Sequence, residues 1–438
     1  MKKLIETIRN IFKIEDLRKR LVYTFLLILV YRLGSFIVMP GIDPTAVADS
    51  NLTAQTSSGL MGLLNMFSGG AFGNASIFAL GVMPYISASI VLQLLGIMVP
   101  YFQKLQKEGE SGRKKMNQWT RYLTIAILAI QGPAYLTNLH AQLPQSAFLM
   151  TGFKFSLFAT LVLIGGTMFI MWLGERITDR GIGNGISIII MVGIIARLPQ
   201  AFIQEFNARI HSSGGILMLL VEMIFLFLVF AGTIALVQGT RKIPVQYTKR
   251  VYGNRQYGGN TSFIPLKINA ANVMPIIFAQ ALMMFPLLFA QFDATRGFAG
   301  TFSNIQGFWY NAVFAFLIII FTYFYTTVVI NPTAMSEEMK RSGGFIPGVQ
   351  PGRKTADFID TIMDRITLPG SIFLAFVGIM PAIAMKFGVS NMFAQFFGGT
   401  SLLIVVGVVL DTLQQIETFL INRHYDGISS TGRLVGRR

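Results

Sequence analysis

The chain has 438 residues, of which 53% are hydrophobic and only 13% charged, with a formal net charge of +16. No water-soluble domain of this length can hide so much apolar surface, so the composition excludes a soluble globular protein and selects one that crosses a membrane many times. With no cysteine in the chain, a disulfide framework and a thiolate metal site are excluded as well.

Residues 1–20, MKKLIETIRNIFKIEDLRKR, make a basic, amphipathic lead into the first apolar run. No small-residue cleavage site follows that run, which argues for a retained helix and against a signal peptide. A hydrocarbon core about 30 Å thick needs roughly 20 apolar residues per helix. Ten segments meet this need: Leu21–Met39, Ile77–Val99, Tyr122–Leu139, Phe155–Leu173, Gly185–Ala201, Gly215–Val237, Asn272–Ala290, Phe308–Ile330, Thr367–Ala384 and Phe393–Ile421. Two spans lie near Pro84 and Pro275, which can kink a helix whose freed carbonyls find other partners. Ahead of the second span stands Gly59–Ser76, GLMGLLNMFSGGAFGNAS, apolar enough to be buried but too short and too glycine-rich to cross. Its one helical piece, GLMGLLNMF, is about two turns long, too little to be stable alone in water.

Lysine and arginine set the orientation. Thirty of the 36 fall in residues 1–20, 99–122, 174–183, 237–271, 331–366 and the tail after 421. The positive-inside rule therefore puts both termini and these connections on the cytoplasmic side, in agreement with an even number of spans. The ten spans are expected to divide about the long loop 238–271 into two five-span halves, 21–237 and 272–421, with a second loop at 331–366 and a tail at 422–438. An odd number of spans per half turns the halves opposite ways, as in inverted repeats that bracket a pathway at the bilayer midplane.

Two of the basic connections are longer than orientation requires. Gly239–Pro275 has β-forming residues about a Gly/Asn turn, a hairpin pattern, and carries Arg241, Lys242, Lys249, Arg250, Arg255 and Lys267 with no acid. Asn331–Thr367 begins as a helix and has a Gly/Pro-rich tip around Gly343–Gly352. Such cations touch anionic lipid heads, and they also suit docking of an acidic or nucleic-acid-rich partner.

The motifs of catalysis are missing. GVQPGRKT (Gly348–Thr355) lacks the spacing of a phosphate-binding loop. His140, His211 and His424 are scattered, which supports neither a metal cluster nor a His-based triad. No catalytic set, cofactor or metal is expected. Few ionisable residues fall within spans, Arg32, Glu222 and Asp411 among them, fewer than a proton-coupled carrier needs. Bulky aliphatic residues stand at mid-span instead: Val82 and Ile86 one turn apart, Ile186 and Ile190 one turn apart, Ile277 and Ile404. Spacing alone leaves these as ordinary packing residues. A passive channel and an inverted-repeat secondary transporter of small solutes both remain open.

Five stretches carry a resemblance. SIFALGVMPYISASIVLQLL (Ser76–Leu95), KEGESGRKKMNQWTRY (Lys107–Tyr122), ITDRGIGNGISIII (Ile177–Ile190), FIPLKINAANVMPIIFA (Phe263–Ala279) and GGTSLLIVVGVVLDTLQQIETFL (Gly398–Leu420) resemble, in order, the bacterial SecY family, the central subunit of the protein-conducting channel. The resemblance runs from about Phe12 to Tyr425. It implies an all-α polytopic membrane protein with ten transmembrane helices, in two inverted five-helix halves around a central pore. A lateral gate would lie between the second and third spans on one side and the seventh and eighth on the other.

Carried over by position, the family's pore ring falls on Val82, Ile86, Ile186, Ile190, Ile277 and Ile404. A ring of aliphatic side chains makes a dewetting constriction that blocks ions yet yields to an extended polypeptide of any sequence. The resemblance makes residues 59–74 the plug, with Leu60, Met61, Leu63, Leu64, Met66 and Phe67 resting against that constriction. Gly69, Gly70 and Gly73 would be its hinge, and the whole segment would be weakly held. Ser87, Gln93 and Gln280 are polar groups in otherwise apolar helices, fit to hold the gate shut at about 1 kcal/mol each or less. The implied partners are a SecA-like motor ATPase and the ribosome, docked on Arg241, Lys249, Arg250, Arg255, Arg353 and Lys354, together with SecE-like and SecG-like subunits, signal-sequence-bearing polypeptides and membrane lipids. The implied location is the bacterial plasma membrane. One departure stands out: the tip reads Gly348-Val-Gln-Pro-Gly352, with Gln350 where the family commonly has arginine.

Overall fold

The computed structural model describes residues 14–49, 59–150, 152–210, 215–247, 250–252, 255–257, 261–283 and 306–431. In chain order the helices before the first long loop are α1 (Glu15–Gly34), α2 (Gly59–Phe67), α3 (Met83–Met98), α4 (Pro100–Lys107), α5 (Glu110–Gln142), α6 (Phe153–Arg180), α7 (Gly185–Ile210) and α8 (Gly215–Gln238). Strands β1 (Thr240–Tyr247), β2 (Arg250–Tyr252), β3 (Arg255–Tyr257) and β4 (Thr261–Lys267) follow. Then come α9 (Met274–Met283), α10 (Phe308–Val329), α11 (Pro332–Ser342), β5 (Gly344–Phe345), α12 (Arg353–Lys386) and α13 (Gly399–Thr431).

Each of the ten predicted spans meets a helix, although residues 284–290 of the seventh lie outside the described residues. Among the described residues, six helical stretches are long and apolar enough to cross a membrane: α6, α7, α8, α10 running on into α11, α12, and Gly399–Leu420 of α13. Residues Met83–Gly96 and Pro100–Gln106 together make a seventh, across a 102° bend. The second span starts at Met83 and not at Ile77, because Ser68–Val82 is a run of turns. Neither proline kink forms. Pro84 and Pro275 each stand in the first turn of their helix, where the missing N–H is one that would have had no helical partner.

The division of the chain also differs from the expected one. Six of the predicted spans (α1, α3, α5, α6, α7 and α8) precede the loop 238–271 and four follow it, so five-and-five falls between α7 and α8. The chain parts into two compact units close to that point, residues 1–203 with 407–438, and residues 204–406.

In the first unit α5 packs on α3, α4 and α6, and α6 packs on α1. Gly166 of α6 is what lets the chain before α3 pass close by, since a Cβ there would stand 2.2 Å from the Ile77 carbonyl oxygen. An apolar cluster of Met39, Ile42, Phe72, Tyr135, Leu139, Phe148 and Phe155 joins the end of α1, the turn region and the connection between α5 and α6.

In the second unit α12 packs on α10 and α11. The two long basic loops fold together here. β1 pairs antiparallel with β4 from Thr240↔Lys267 to Gln246↔Thr261, and β5 pairs with the other edge of β1 through Gln246↔Phe345. Ile243 and Val245 alternate inward along β1 and, with Leu266, bury against Met339, Ile346, Ile359 and Met363 of the second loop and α12.

Glu222, an in-span acid in the sequence, is one corner of a buried ion cluster. Arg209 of α7 donates from Nε to Glu205 at 2.9 Å and from Nη2 to Glu222 of α8, and Glu205 Oε2 accepts the Ser390 N–H at 2.8 Å. Removing the cation would leave two facing carboxylates in a dry site, a change that costs about 3–5 kcal/mol in buried pairs. Arg209→Met is therefore expected to lower the thermal unfolding midpoint of the purified protein by many degrees, whereas the exposed change Lys154→Met leaves it in place. An unshifted midpoint in Arg209→Met would show the cluster to be dispensable.

Candidate functional site

The segment GLMGLLNMF forms the nine-residue helix α2. Asn65, Met66 and Phe67 at its end are buried and Leu64 is half-buried, while the side chains of Leu60, Met61 and Leu63 lie outside the described ones. Beyond it, Gly69 and Gly70 take φ of 65° and 95°, which favour glycine, whereas Gly73 does not leave the ordinary region. The expectation of a weakly held segment fails at this end. Asn65 Oδ1 accepts the Gly73 N–H at 2.9 Å and Ser68 Oγ accepts the Phe72 N–H at 3.0 Å. Side chains from other helices take the carbonyls: the Tyr31 hydroxyl donates to Ser68, Arg32 to Gly69 and the Tyr135 hydroxyl to Phe72. Ala75 and Ile77 are stitched to the strand-like end of α1 by Met39 N–H to Ala75 oxygen and Ile77 N–H to Ile37 oxygen. Tyr31 and Tyr135 were not among the predicted site residues; their only signal in the sequence is a hydroxyl among apolar neighbours.

Val82 is the N-cap residue of α3 and is buried; Ile86 stands one turn on, half-buried, its N–H bonded to the Val82 carbonyl at 3.1 Å. Ile186 and Ile190 occupy the first two turns of α7, with Ile186 packed over Gly174 of α6. These four belong to the first unit. Ile277 on α9 and Ile404 on α13 belong to the second. Ser87 and Gln93 are half-buried on α3, and Gln280 is half-buried on α9.

Of the predicted docking residues, Arg241 is exposed on β1, Arg250 is the first residue of β2 and Arg255 the first of β3, and Lys249 lies outside the described residues. Arg353 and Lys354 are exposed in the first turn of α12. Two cations at a helix N-terminus oppose the helix dipole, a placement that stability does not favour. The tip before them is fixed by two hydroxyls: Ser336 Oγ donates to the Gly352 carbonyl at 2.6 Å and Thr355 Oγ1 to the Gln350 carbonyl at 2.8 Å. Gln350 itself is exposed. Among the described residues there is no cluster of His, Asp or Glu able to hold a metal.

Fold and site define a multi-pass α-helical membrane protein, with a short helix and a glycine-hinged turn region held among its long helices and a folded basic domain on one side. A family model described as SecY matches residues 76–413. The protein translocase subunit SecY of Halalkalibacterium halodurans is 44% identical over 436 residues, covering 97% of this chain and 99% of that one; that of Streptomyces scabiei is 42% identical over 431 residues, covering 95% and 98%. The fold is similar to that of a solved protein-conducting channel, with TM-score 0.65 at 17% identity over 92% of each chain. It is also similar to Sec61 in a canine ribosome–channel complex from the endoplasmic reticulum, with TM-score 0.59 at 18% identity over 92% of each chain. The chain belongs to the SecY family.

Gly193 of α7 touches the same turn region, since a Cβ there would lie 3.2 Å from the Gly69 nitrogen and 3.3 Å from the Phe67 carbonyl oxygen. Overpacking a tight contact costs about 1–3 kcal/mol. Gly193→Val is expected to unseat the end of α2 and to raise the labelling rate of a Phe67→Cys thiol at least several-fold. An unchanged rate would mean that this contact does not hold the helix.

Proposed function

We propose that the chain is the pore-forming subunit of a protein-conducting channel, which passes secretory polypeptides across the membrane and releases membrane proteins sideways into it. The observation that carries this reading is α2 itself: a helix too short to span, hinged on Gly69 and Gly70, standing next in sequence to the aliphatic pair Val82 and Ile86. Val82, Ile86, Ile186, Ile190, Ile277 and Ile404 form the constriction, α2 is its plug, and Ser87, Gln93 and Gln280 line the lateral gate. The relatives named translocase subunits support the reading, as do the structural neighbours that conduct protein. The in-span ionisable groups Arg32 and Glu222 are occupied by a backbone carbonyl and by Arg209, not arranged as a coupling site.

The chain supplies no energy of its own. A SecA-like ATPase or a translating ribosome docks on the basic sheet and the tip, meeting Arg241, Lys249, Arg250, Arg255, Arg353 and Lys354, and SecE-like and SecG-like subunits complete the assembly. The termini and this domain face the cytoplasm and the chain sits in a bacterial plasma membrane; the thirty cations on the predicted cytoplasmic connections support the orientation, and the bacterial relatives support the location.

Because the chain has no cysteine, single replacements report cleanly. A cysteine at Ile86 or Ile404 is expected to crosslink to a stalled secretory chain; absence of an adduct at all six ring positions would sink the channel reading. Deleting residues 60–67 is expected to raise resting ion leak more than it lowers export. A plug-less channel that stays tight would remove the plug assignment.

A further inference from the structure

Two arginines from different membrane helices converge on the end of α2. Arg32 Nη1 donates to the Gly69 carbonyl at 2.9 Å, and its guanidinium lies 5.4 Å from the Phe36 ring centroid. Arg197 of α7 comes to the adjacent residue: a Cβ on Gly70 would stand 3.5 Å from its Nε. A Cβ on Gly69 would stand 2.8 Å from Arg32 Nη1, so both guanidiniums crowd against neighbouring glycines. Arg197 is only 6% exposed. Among the described residues neither arginine has a carboxylate partner, in contrast to Arg209, which has two.

A buried cation without an acid must be offset by something else. The groups on hand are the last carbonyls of α2 and of the turn after it, which carry the partial negative charge of a helix C-terminus. Past the arginines, Tyr135 holds the Phe72 carbonyl and Met39 the Ala75 carbonyl. The chain is thus pinned on the far side of the two glycines, and α2 is joined to it across them by Asn65, whose Oδ1 accepts the Gly73 N–H and whose carbonyl accepts the Gly70 N–H, bonds that a swing of α2 must break.

We propose that Arg32 and Arg197 are the anchor on which the plug turns: they hold Gly69–Phe72 in place while α2 swings about Ser68–Gly69, and they draw its C-terminal end back to the same seat. The inference rests on α2 being the plug and adds the device that returns it. Both arginines are positioning residues, acting through the plug and not on the passing chain. Tyr31, which holds the Ser68 carbonyl at 3.2 Å, breaks its contact when the helix leaves.

The test uses the full chain with its partner subunits in proteoliposomes, reading resting ion leak and translocation rate for Arg32→Met, Arg197→Met and Arg32→Lys, each with and without residues 60–67. Arg32→Met is expected to raise resting leak by roughly tenfold, the scale of losing a hydrogen bond from a charged group, and Arg197→Met to raise it measurably. Arg32→Lys keeps charge and donor and should stay close to the parent. In the plug-less background the methionine variants should add no further leak. Equal leak in parent and methionine variants, with the plug-less channel leaking, overturns the anchor and leaves the plug assignment standing. Leak that adds to that of the plug-less channel also overturns it, because the arginines would then act on the pore wall. A plug-less channel as tight as the parent overturns the plug assignment and the anchor with it. Should Arg32→Met fail to assemble, Tyr31→Phe removes one pin alone and must leak measurably for the anchor to stand.

Discussion

Irregular backbone at membrane depth has no water to bond to, so every carbonyl and N–H it exposes must be met by the protein. The run Ser68–Val82 imposes that demand on the whole first unit. Tyr31, Arg32 and Tyr135 sit where they do because three carbonyls there need donors, and Asn65 and Ser68 face inward because two N–H groups need acceptors. The end of α1 leaves its helix to pair with Ala75 and Ile77. Gly166 and Gly193 keep α6 and α7 bare where this backbone touches them. The packing of four helices is in this sense built around fifteen residues that are not helical.

The charged groups sort by the same rule. Arg209 stands between Glu205 and Glu222, with a backbone N–H completing the set, which is how a dry site accommodates ionised groups. That cluster is a fastener. Arg32 donates instead to the Gly69 carbonyl and Arg197 stands against Gly70, with no carboxylate beside either among the described residues.

What the sequence made legible follows from how local its signals are. Apolar runs of membrane length each met a helix, six or seven of them long and apolar enough to span among the described residues, and β-forming residues about a Gly/Asn turn marked the hairpin, since both depend on neighbours in the chain. The helical piece of α2 was also legible from its own residues. Whether Pro84 and Pro275 kink their helices was not legible, because a proline two residues into a helix looks, in sequence, like one in its interior; only the position of the first helical turn separates the two. The five-and-five division was misplaced for a similar reason, as the longest loop attracts the boundary although it belongs wholly to one unit. Tyr31, Tyr135 and Arg197 escaped notice because their partners lie tens of residues away, and nothing in a local pattern distinguishes a hydroxyl that caps a carbonyl from one that does not.

The basic domain carries the argument from docking to the membrane. Its sheet, α11 and the start of α12 share one core, in which Ile359 and Met363 of α12 touch Ile243, Val245 and Leu266 of the strands. The same α12 continues without a break through Pro369 and Pro381 to Lys386. A helix is stiff along its axis, and this one is gripped at its near end by the domain that displays Arg241, Arg353 and Lys354. Force or displacement applied by a partner at the tip therefore cannot be absorbed in a flexible linker. It would be delivered along α12 into the packing of α10 and α12, while Arg353 and Lys354 oppose the local helix dipole and so add nothing to the helix's own stability.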